Sequence, residues 1–440
     1  MKTSVTARVQ FAAPSAARPY SNATFELQSA LEQLMPKLKI AVIFGGNKAD
    51  PGSVVYQSQN ARAWKSYEAV AADIAASLRR IGFRHVELMP EDMHLGDKLR
   101  QRGIHMAWLN SGGVQGYNSA AHAPGTLEMV GLPYVGHDPL SATTLDNKHA
   151  FKREAVCAGL PTAPFSTWHM ARGQFRPEIN SRFLQAFGDY AGPFVVKPVS
   201  GRASLHVHVV PDRENLADAI EEIYRETGNL VLIEKYLSGR EFCIAVAGRV
   251  TSRKGVLWRH NEPFAFGALE RLFSADEKIF TSMDTKPITA ARFKHVDPRE
   301  QKLWDGVHRL AREVFLEFNL GTLVRMDLRA DESGNLYILE ANPKPDLKYA
   351  EQGVTSLVSE GLAQVGMTYD DLILSLISDR LDGLFRHRAG SIKHILDLLP
   401  QSQAARLSSA ARAQLSDEAT DSMVLMLDKK VRQMRMHEHS

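Results

Sequence analysis

Residues 38–44 (LKIAVIF) form an unbroken apolar run that stops at Gly45-Gly46. Such a run, too short for a helix and closed by glycines, predicts a strand buried on both faces of a parallel sheet. The pattern then changes to a helical stripe over 61–81, where Trp64, Val70, Ala71, Ile74, Ala75 and Leu78 make one apolar face and Gly82 ends the segment. Short apolar strands return at 85–89 and 105–109, the second running into a Gly- and Ser-rich loop at 110–116. Strands alternating with helices predict an open, mainly parallel α/β domain whose ligands meet the carboxyl ends of the strands. Farther on, 124–136 predicts a short helix and a strand, and 145–148 opens a helix that runs to Ala158, where Gly159 and Pro161 stop it. A strand at 194–198 ends in Lys197-Pro198 and precedes a small-residue loop, 200–204, whose backbone N–H groups suit phosphates; another strand follows at 231–234. Residues 304–318 carry an amphipathic helix, and Thr368 caps a second over 369–385 with Ile373, Leu376, Ile377, Leu381 and Leu384 inward. The stretch 391–440 predicts a helical appendage, with Met423, Leu425, Met426, Val431 and Met434 on one face.

The chemistry concentrates in 323–345, two strands joined by a turn at 331–335 (DESGN). Under strict alternation Arg325 and Asp327 share one face of the first strand, opposite Val324, Met326 and Leu328. In the second strand the same rule groups Leu336, Ile338, Glu340 and Asn342 against Tyr337, Leu339 and Ala341. One polar edge then carries Asp327, Glu340 and Asn342. Hard oxygen ligands of this kind suit magnesium, which is held by one or two carboxylates together with substrate phosphates. The residues alone leave a hairpin with a solvated outer face as the alternative. His206 and His208 share a strand face next to the phosphate loop, but with no third ligand they read as structural; His137 and Asp138 lie where a strand end could touch substrate.

Composition narrows the function classes. At 440 residues the chain is long enough for two or three cores, and its net charge of +3 is too mild to imply nucleic acid or an anionic membrane. No apolar run reaches membrane-spanning length. Two cysteines, Cys157 and Cys243, without a CxxC spacing fit free thiols in a reducing compartment, so the expectation is a cytoplasmic protein. The first residues hold Lys2, Arg8 and Arg18 but no acid, which makes a flexible arm the expectation and an organelle address the alternative.

Five strings, in order, resemble the ATP-grasp superfamily and its D-alanine:D-alanine ligase-like branch. They are GLPYVG at 131–136, Asp146-Asn147-Lys148 with Lys152, FVVKP at 194–198, IEKYLSGREF at 233–242, and Arg325-Met326-Asp327 paired with Leu339-Glu340-Ala341-Asn342. The resemblance spans about residues 39–385. It implies an ATP-grasp fold of three α/β domains: an N-terminal open parallel sheet at 37–140, then ATP-clamping central (141–236) and C-terminal (237–388) domains. A flexible arm at 1–36 and a helical extension at 389–440 complete the expected organisation. It also implies two cofactors, ATP and two magnesium ions, with manganese as a substitute. Lys148 and Lys197 would meet phosphates, Glu234 with the backbone of Lys235 and Leu237 would meet adenine, and Glu241 would take the ribose hydroxyls. Asp327, Glu340 and Asn342 would hold the metals, Arg325 would stabilise charge in the transition states, and Ser204 would belong to the loop closing over the phosphates. The family reaction is a carboxylate–amine ligation through an acyl phosphate. The implied partners are small-molecule acid and amine substrates, with no nucleic acid or membrane, and the branch is commonly a homodimer.

Substrate positions depart from the D-alanine enzymes. Residue count puts Gly52 where the family carries the acid that anchors the donor amine, and Ala203 where it carries a Ser. The Gly of the family's Pro-Gly pair becomes Asp346, the Ser that reads the acceptor carboxylate falls near Glu351, and a lid Lys aligns loosely with Arg271. Such changes disfavour a zwitterionic D-alanine in both subsites. The expectation is therefore a ligase of altered substrate, with Arg271, Lys344, Asp346, Lys348 and Glu351 as substrate candidates. The alternatives are a genuine D-alanine:D-alanine ligase, a different ATP-grasp reaction such as one with a thiol acceptor, and a non-catalytic nucleotide sensor that binds a partner.

Overall fold

The fold is taken from a computed structural model that describes residues 22–47, 49–50, 66–114, 116, 118–201, 204–274, 277–279, 287–351, 353–387 and 389–407. The first apolar run is the strand Lys39–Phe44, at the centre of a parallel sheet ordered His85–Pro90, Lys39–Phe44, Met106–Leu109, Tyr134–Val135. Both faces of that strand are covered, as its unbroken hydrophobicity requires. Ile40 and Val42 pack with Ala71, Ile74 and Leu78 of the helix Glu68–Ile81, while Ala41 and Ile43 pack with Leu95, Leu99 and Leu127 on the other side.

Two larger antiparallel sheets follow, besides the two-stranded pair Val250–Arg253 with Val256–Arg259. One has the order Phe165–Trp168, Val231–Lys235, Phe194–Pro198, His208–Val210. The other has five strands, Phe293–His295, Phe264–Arg271, Glu241–Ala247, Val324–Ala330 and Leu336–Asn342. The amphipathic helix Gln301–Glu317 lies on the second, its Val307, Leu310, Ala311 and Val314 against Val324, Met326, Leu328 and Ile338. The helix Tyr369–His387 is capped as expected, Thr368 Oγ1 accepting from the Asp371 N–H at 3.1 Å. Its Leu372, Ile373, Leu376 and Ile377 join the core of the N-terminal sheet, so the two ends of the chain share one hydrophobic cluster.

Four expectations change. The arm is not an arm throughout: Asn22–Leu34 is a helix, with Leu27, Leu31 and Leu34 buried at i, i+4 and i+7. Its anchor is the C-terminal segment, where Gln403 donates to Ser29 Oγ at 3.1 Å and Leu399 and Leu407 are buried. The five apolar residues named between Met423 and Met434 lie outside the described residues. The helix expected over 61–81 starts at Glu68, because Tyr67 adopts a left-handed conformation (φ 57°) that no helix propagates; residues 61–65, Trp64 among them, are outside the described set. The helix expected from 145 is two helices, Pro139–Asp146 and Lys148–Cys157, separated by Asn147, whose Oδ1 accepts from the His149 and Ala150 N–H groups. Finally, His206 sits in a turn with φ 54° rather than in the strand His208–Val210, so the two rings do not share a strand face.

Three buried histidines set an acid limit on this fold. Burial holds His137, His260 and His308 each down to about 4, and each ring is spent on an uncharged partner: Leu323 O at 3.2 Å, Thr251 Oγ1 at 2.8 Å and Trp304 O at 2.8 Å. A folded pKa below the unfolded value of about 6.5 means that the unfolded chain binds more protons between the two, so stability is full above 6.5 and drains as pH falls toward 4. Each histidine is worth at most about 3 kcal/mol on this count. Calorimetry should show the melting temperature falling steeply between about pH 6.5 and 4.5; a flat profile there would contradict the assignment of the rings as buried and neutral.

Candidate active site

Arg325, Asp327 and Arg329 alternate onto the open face of their strand, opposite Asn342, Glu340 and Tyr337 in register. Strict alternation in the second strand would have sent Glu340 to the same side as Ile338, which is fully buried in the core under the helix Gln301–Glu317. The pairing prevents this by slipping one residue: Asp327 faces Glu340 but Leu328 faces Ile338, leaving Leu339 as the extra residue of a β-bulge. The expected grouping of Leu336 and Ile338 with Glu340 and Asn342 is therefore corrected. Ile338 and Ala341 point into the core, and Glu340 and Asn342 stand on the site face.

The open face borders a cavity of about 1000 Å³ between the second and third sheets. It is lined by Lys148, Lys197, Ser204, Glu234, Lys235, Leu237, Glu241, Arg271, Arg325, Asp327, Glu340, Asn342, Lys344, Asp346, Lys348 and Glu351, so the described residues expected to meet nucleotide, metal and substrate converge there, His137 and Asp138 excepted. Gly52 and Ala203 lie outside the described residues. His137 is buried against Leu323 O and Asp138 caps the helix Pro139–Asp146, so neither lines the cavity and both are structural.

On one wall the acids are paired with cations inside the protein. Glu234 is 2% exposed and lies between Lys197 and the fully buried Lys152, the latter at 2.5 Å. Burial favours its neutral form, but the two ammonium groups overcome that and hold its pKa below the ordinary value. Lys152 also donates to Thr162 Oγ1, which donates to Ile338 O at 3.1 Å and so ties this wall to the third sheet. The N–H of Lys235 is spent on Pro164 O, so any contact from its backbone comes from the carbonyl.

Across the cavity Arg325 forms a two-pronged pair with Asp327, both contacts 2.9 Å. Arg271, at the end of its strand, bridges Glu241 at 2.9 Å and Asp327 at 3.0 Å, and Arg329 reaches the other oxygen of Glu241 at 3.3 Å. Glu340 faces Lys148 at 3.5 Å, and Lys148 donates to Gly201 O at 2.7 Å. Despite burial, Lys148, Lys197, Arg325 and Arg271 keep Glu340 well below the usual carboxylate range. Ser204, which begins the described part of the phosphate-loop turn, has φ 54°.

Asp327 and Glu340 are directly opposed and flanked by the Asn342 amide, 3.4 Å from Asp327 and 3.5 Å from Glu340. Two carboxylates and a carboxamide fit a dication whose remaining ligands are phosphate oxygens and water. No cluster of three His, Cys, Asp or Glu is present among the described residues, so a site that held the ion by protein groups alone would not fit.

A model of the D-ala D-ala ligase C-terminus matches residues 156–378, just over half of the chain. The chain belongs to this family, and so to the ATP-grasp ligases. A D-alanine–D-alanine ligase from Pelotomaculum thermopropionicum is 24% identical over 353 residues, 77% of this chain and 96% of that protein. The D-alanine–D-alanine ligase of Bacillus anthracis, solved in complex with ATP, superposes with a TM-score of 0.54 at 21% identity, covering 78% of this chain and 97% of that one. VanG D-Ala:D-Ser ligase from Enterococcus faecalis gives 0.54 at 17% identity, over 78% and 99% of the two chains. These likenesses to solved structures show the ATP-grasp fold. No helix among the described residues is long and apolar enough to cross a membrane.

Sequence pattern quoted Lys152 without giving it a task, and did not single out Thr162, Arg329, Tyr67, Glu68 or Asp73, all but Lys152 and Thr162 lining the cavity. Arg329 was within reach, being the next same-face position after Arg325 and Asp327. Lys152→Met should cost about 3–5 kcal/mol, because it leaves the buried Glu234 with one cation. Adding Glu234→Gln should recover part of that loss. Urea unfolding of the single and double variants checks this, and strictly additive losses would contradict a shared ion-pair network.

Proposed function

We propose that this ATP-grasp ligase activates a carboxylate as its acyl phosphate and joins it to an amine, and that at least one substrate carries a charged or strongly polar side chain in place of the methyl of alanine. The observation that carries the second part is the far end of the cavity. Lys344, Asp346, Lys348 and Glu351 line it from the loop after Asn342, and Glu68 and Asp73 line it from the helix Glu68–Ile81. The Lys344 ammonium lies 3.5 Å from the centre of the Tyr67 ring, and Tyr349 N–H donates to Asp73 at 3.0 Å. These contacts fix the loop on the helix, so the charges are held in place rather than free to swing away. Two zwitterion termini and a methyl group do not call for so many acidic and basic side chains, and a misplaced like charge is costly.

In the first step a substrate carboxylate oxygen bonds to the γ-phosphorus, the bond to the β–γ bridging oxygen breaks and ADP leaves. In the second the amine attacks the acyl carbon, and the tetrahedral intermediate expels phosphate with that carboxylate oxygen. Lys148 and Lys197 lower the repulsion between the phosphates and the incoming carboxylate. Arg325 stabilises the charge that builds in both steps, a contribution of about 3 kcal/mol for one well-placed donor. Glu241 receives the ribose hydroxyls, and Glu234 with the backbone of Lys235 and Leu237 meets adenine. Magnesium or manganese on Asp327, Glu340 and Asn342 would supply charge neutralisation at the phosphate oxygens. Ser204 anchors the loop that covers them.

The test is ADP release with magnesium and ATP over D- and L-amino acids, singly and in pairs. Turnover should be high for a pair that includes a charged or polar side chain and low for D-alanine alone. Glu340→Ala should lower kcat at least about a hundredfold. Full turnover on D-alanine alone would make the chain a D-alanine–D-alanine ligase like its named relatives and overturn the altered-substrate part. Nucleotide binding without turnover on any pair would favour the sensor reading.

A further inference from the structure

The four acids of the proposed nucleotide and metal sites already have their cations: Glu234 has Lys152 and Lys197, Glu241 has Arg271 and Arg329, Asp327 has Arg325 and Arg271, and Glu340 has Lys148. Arg271 differs from the others in spanning two acids with different tasks. Nη1 is 2.9 Å from Glu241, the sugar acid of the proposed nucleotide site, and Nη2 is 3.0 Å from Asp327, a metal acid. The residue is 7% exposed and lies opposite Glu241 in the strand register, so its fork is held between those two carboxylates. A polyphosphate reaching from the sugar acid to the metal acids has to pass it. A planar, desolvated guanidinium is well suited to phosphate oxygens.

We propose that Arg271 contacts the phosphates, that Glu241 and Asp327 hold it in readiness until nucleotide arrives, and that this exchange of partners makes the metal site competent only when nucleotide is bound. The inference rests on the nucleotide reading of the cavity and adds an order of assembly to it. A bare dication approaching Asp327 meets Arg271 and Arg325 already bonded there and brings positive charge into a wall where cations outnumber acids. Nucleotide reverses both terms. Its phosphates offer the guanidinium new acceptors, release the carboxylates and bring the negative charge that a dication needs.

The test uses the full chain, manganese as a paramagnetic probe and a non-hydrolysable ATP analogue. In the native protein manganese should stay free, by electron paramagnetic resonance, at concentrations that saturate the site once the analogue is present. Arg271→Gln should bind the analogue about tenfold to a hundredfold more weakly by calorimetry, and should bind manganese without nucleotide more tightly than the native protein does. Arg271→Lys, which keeps the charge but not the fork, should fall between the two. Equal manganese affinity with and without the analogue in the native protein would overturn the proposal, and so would unchanged analogue affinity in folded Arg271→Gln. Should Arg271→Gln fail to fold, the native titration and Arg271→Lys decide. Failure of the native protein to bind the analogue even with manganese would instead remove the nucleotide reading on which the proposal rests.

Discussion

Between Asp327 and Leu328 the register of the last two strands slips by one residue, and the direction of the polar side chains beyond it depends on that slip. Ile338 is fixed by burial under the helix Gln301–Glu317. Under the twofold period of a strand, Glu340 and Asn342 would follow it into the core, where an unpaired carboxylate costs many kcal/mol. The bulge at Leu339 satisfies both demands: Ala341 takes the core position and Glu340 comes to stand opposite Asp327. Bulges often re-aim a side chain beside an active site, and here one joins a hydrophobic core to a charged wall within three residues.

The charged wall in turn holds the sheets together. Lys148 and Lys197 come from the central part of the chain, and Glu340, Asp327 and Glu241 from the C-terminal sheet. Thr162 bridges the two through Ile338. Because Glu234, Glu241, Asp327 and Glu340 are each met by a cation within the protein, this part of the wall can be desolvated without stranding a charge. The same pairing lines one cavity with the cations Lys148, Lys197, Arg271 and Arg325, the kind of charge that a polyphosphate requires. The contacts that stabilise this wall also shape the cavity, and Lys152, buried behind it against Glu234, is one of them.

Much of this was legible in the sequence, for identifiable reasons. The run 38–44 could only be a strand buried on both faces, and the motifs around Lys148, Lys197, Glu241 and Asp327 carry groups whose chemistry is specific enough to converge on one cavity. What was not legible depends on distant partners. Leu27, Leu31 and Leu34 show helical spacing, but the partners that bury them lie far along the chain, in the strand Val256–Arg259, the helix Tyr369–His387 and the segment after it. The bulge leaves no mark on the hydrophobic pattern, because Leu336, Ile338 and Leu339 are all apolar and only the facing strand sets the register. Tyr67 gives no local sign of its left-handed backbone or of Lys344 above its ring. The second arises where the start of the helix Glu68–Ile81 meets the loop after Asn342.

The ligase reading requires that a substrate carboxylate be phosphorylated before the amine attacks. Once an accepted acid is known, the direct measurement is to label its carboxylate with oxygen-18, run the complete reaction and analyse the released phosphate by mass spectrometry. Direct transfer through an acyl phosphate predicts one labelled oxygen in the phosphate, with ADP as the nucleotide product. Label that appears in AMP, or phosphate that carries none, would contradict it.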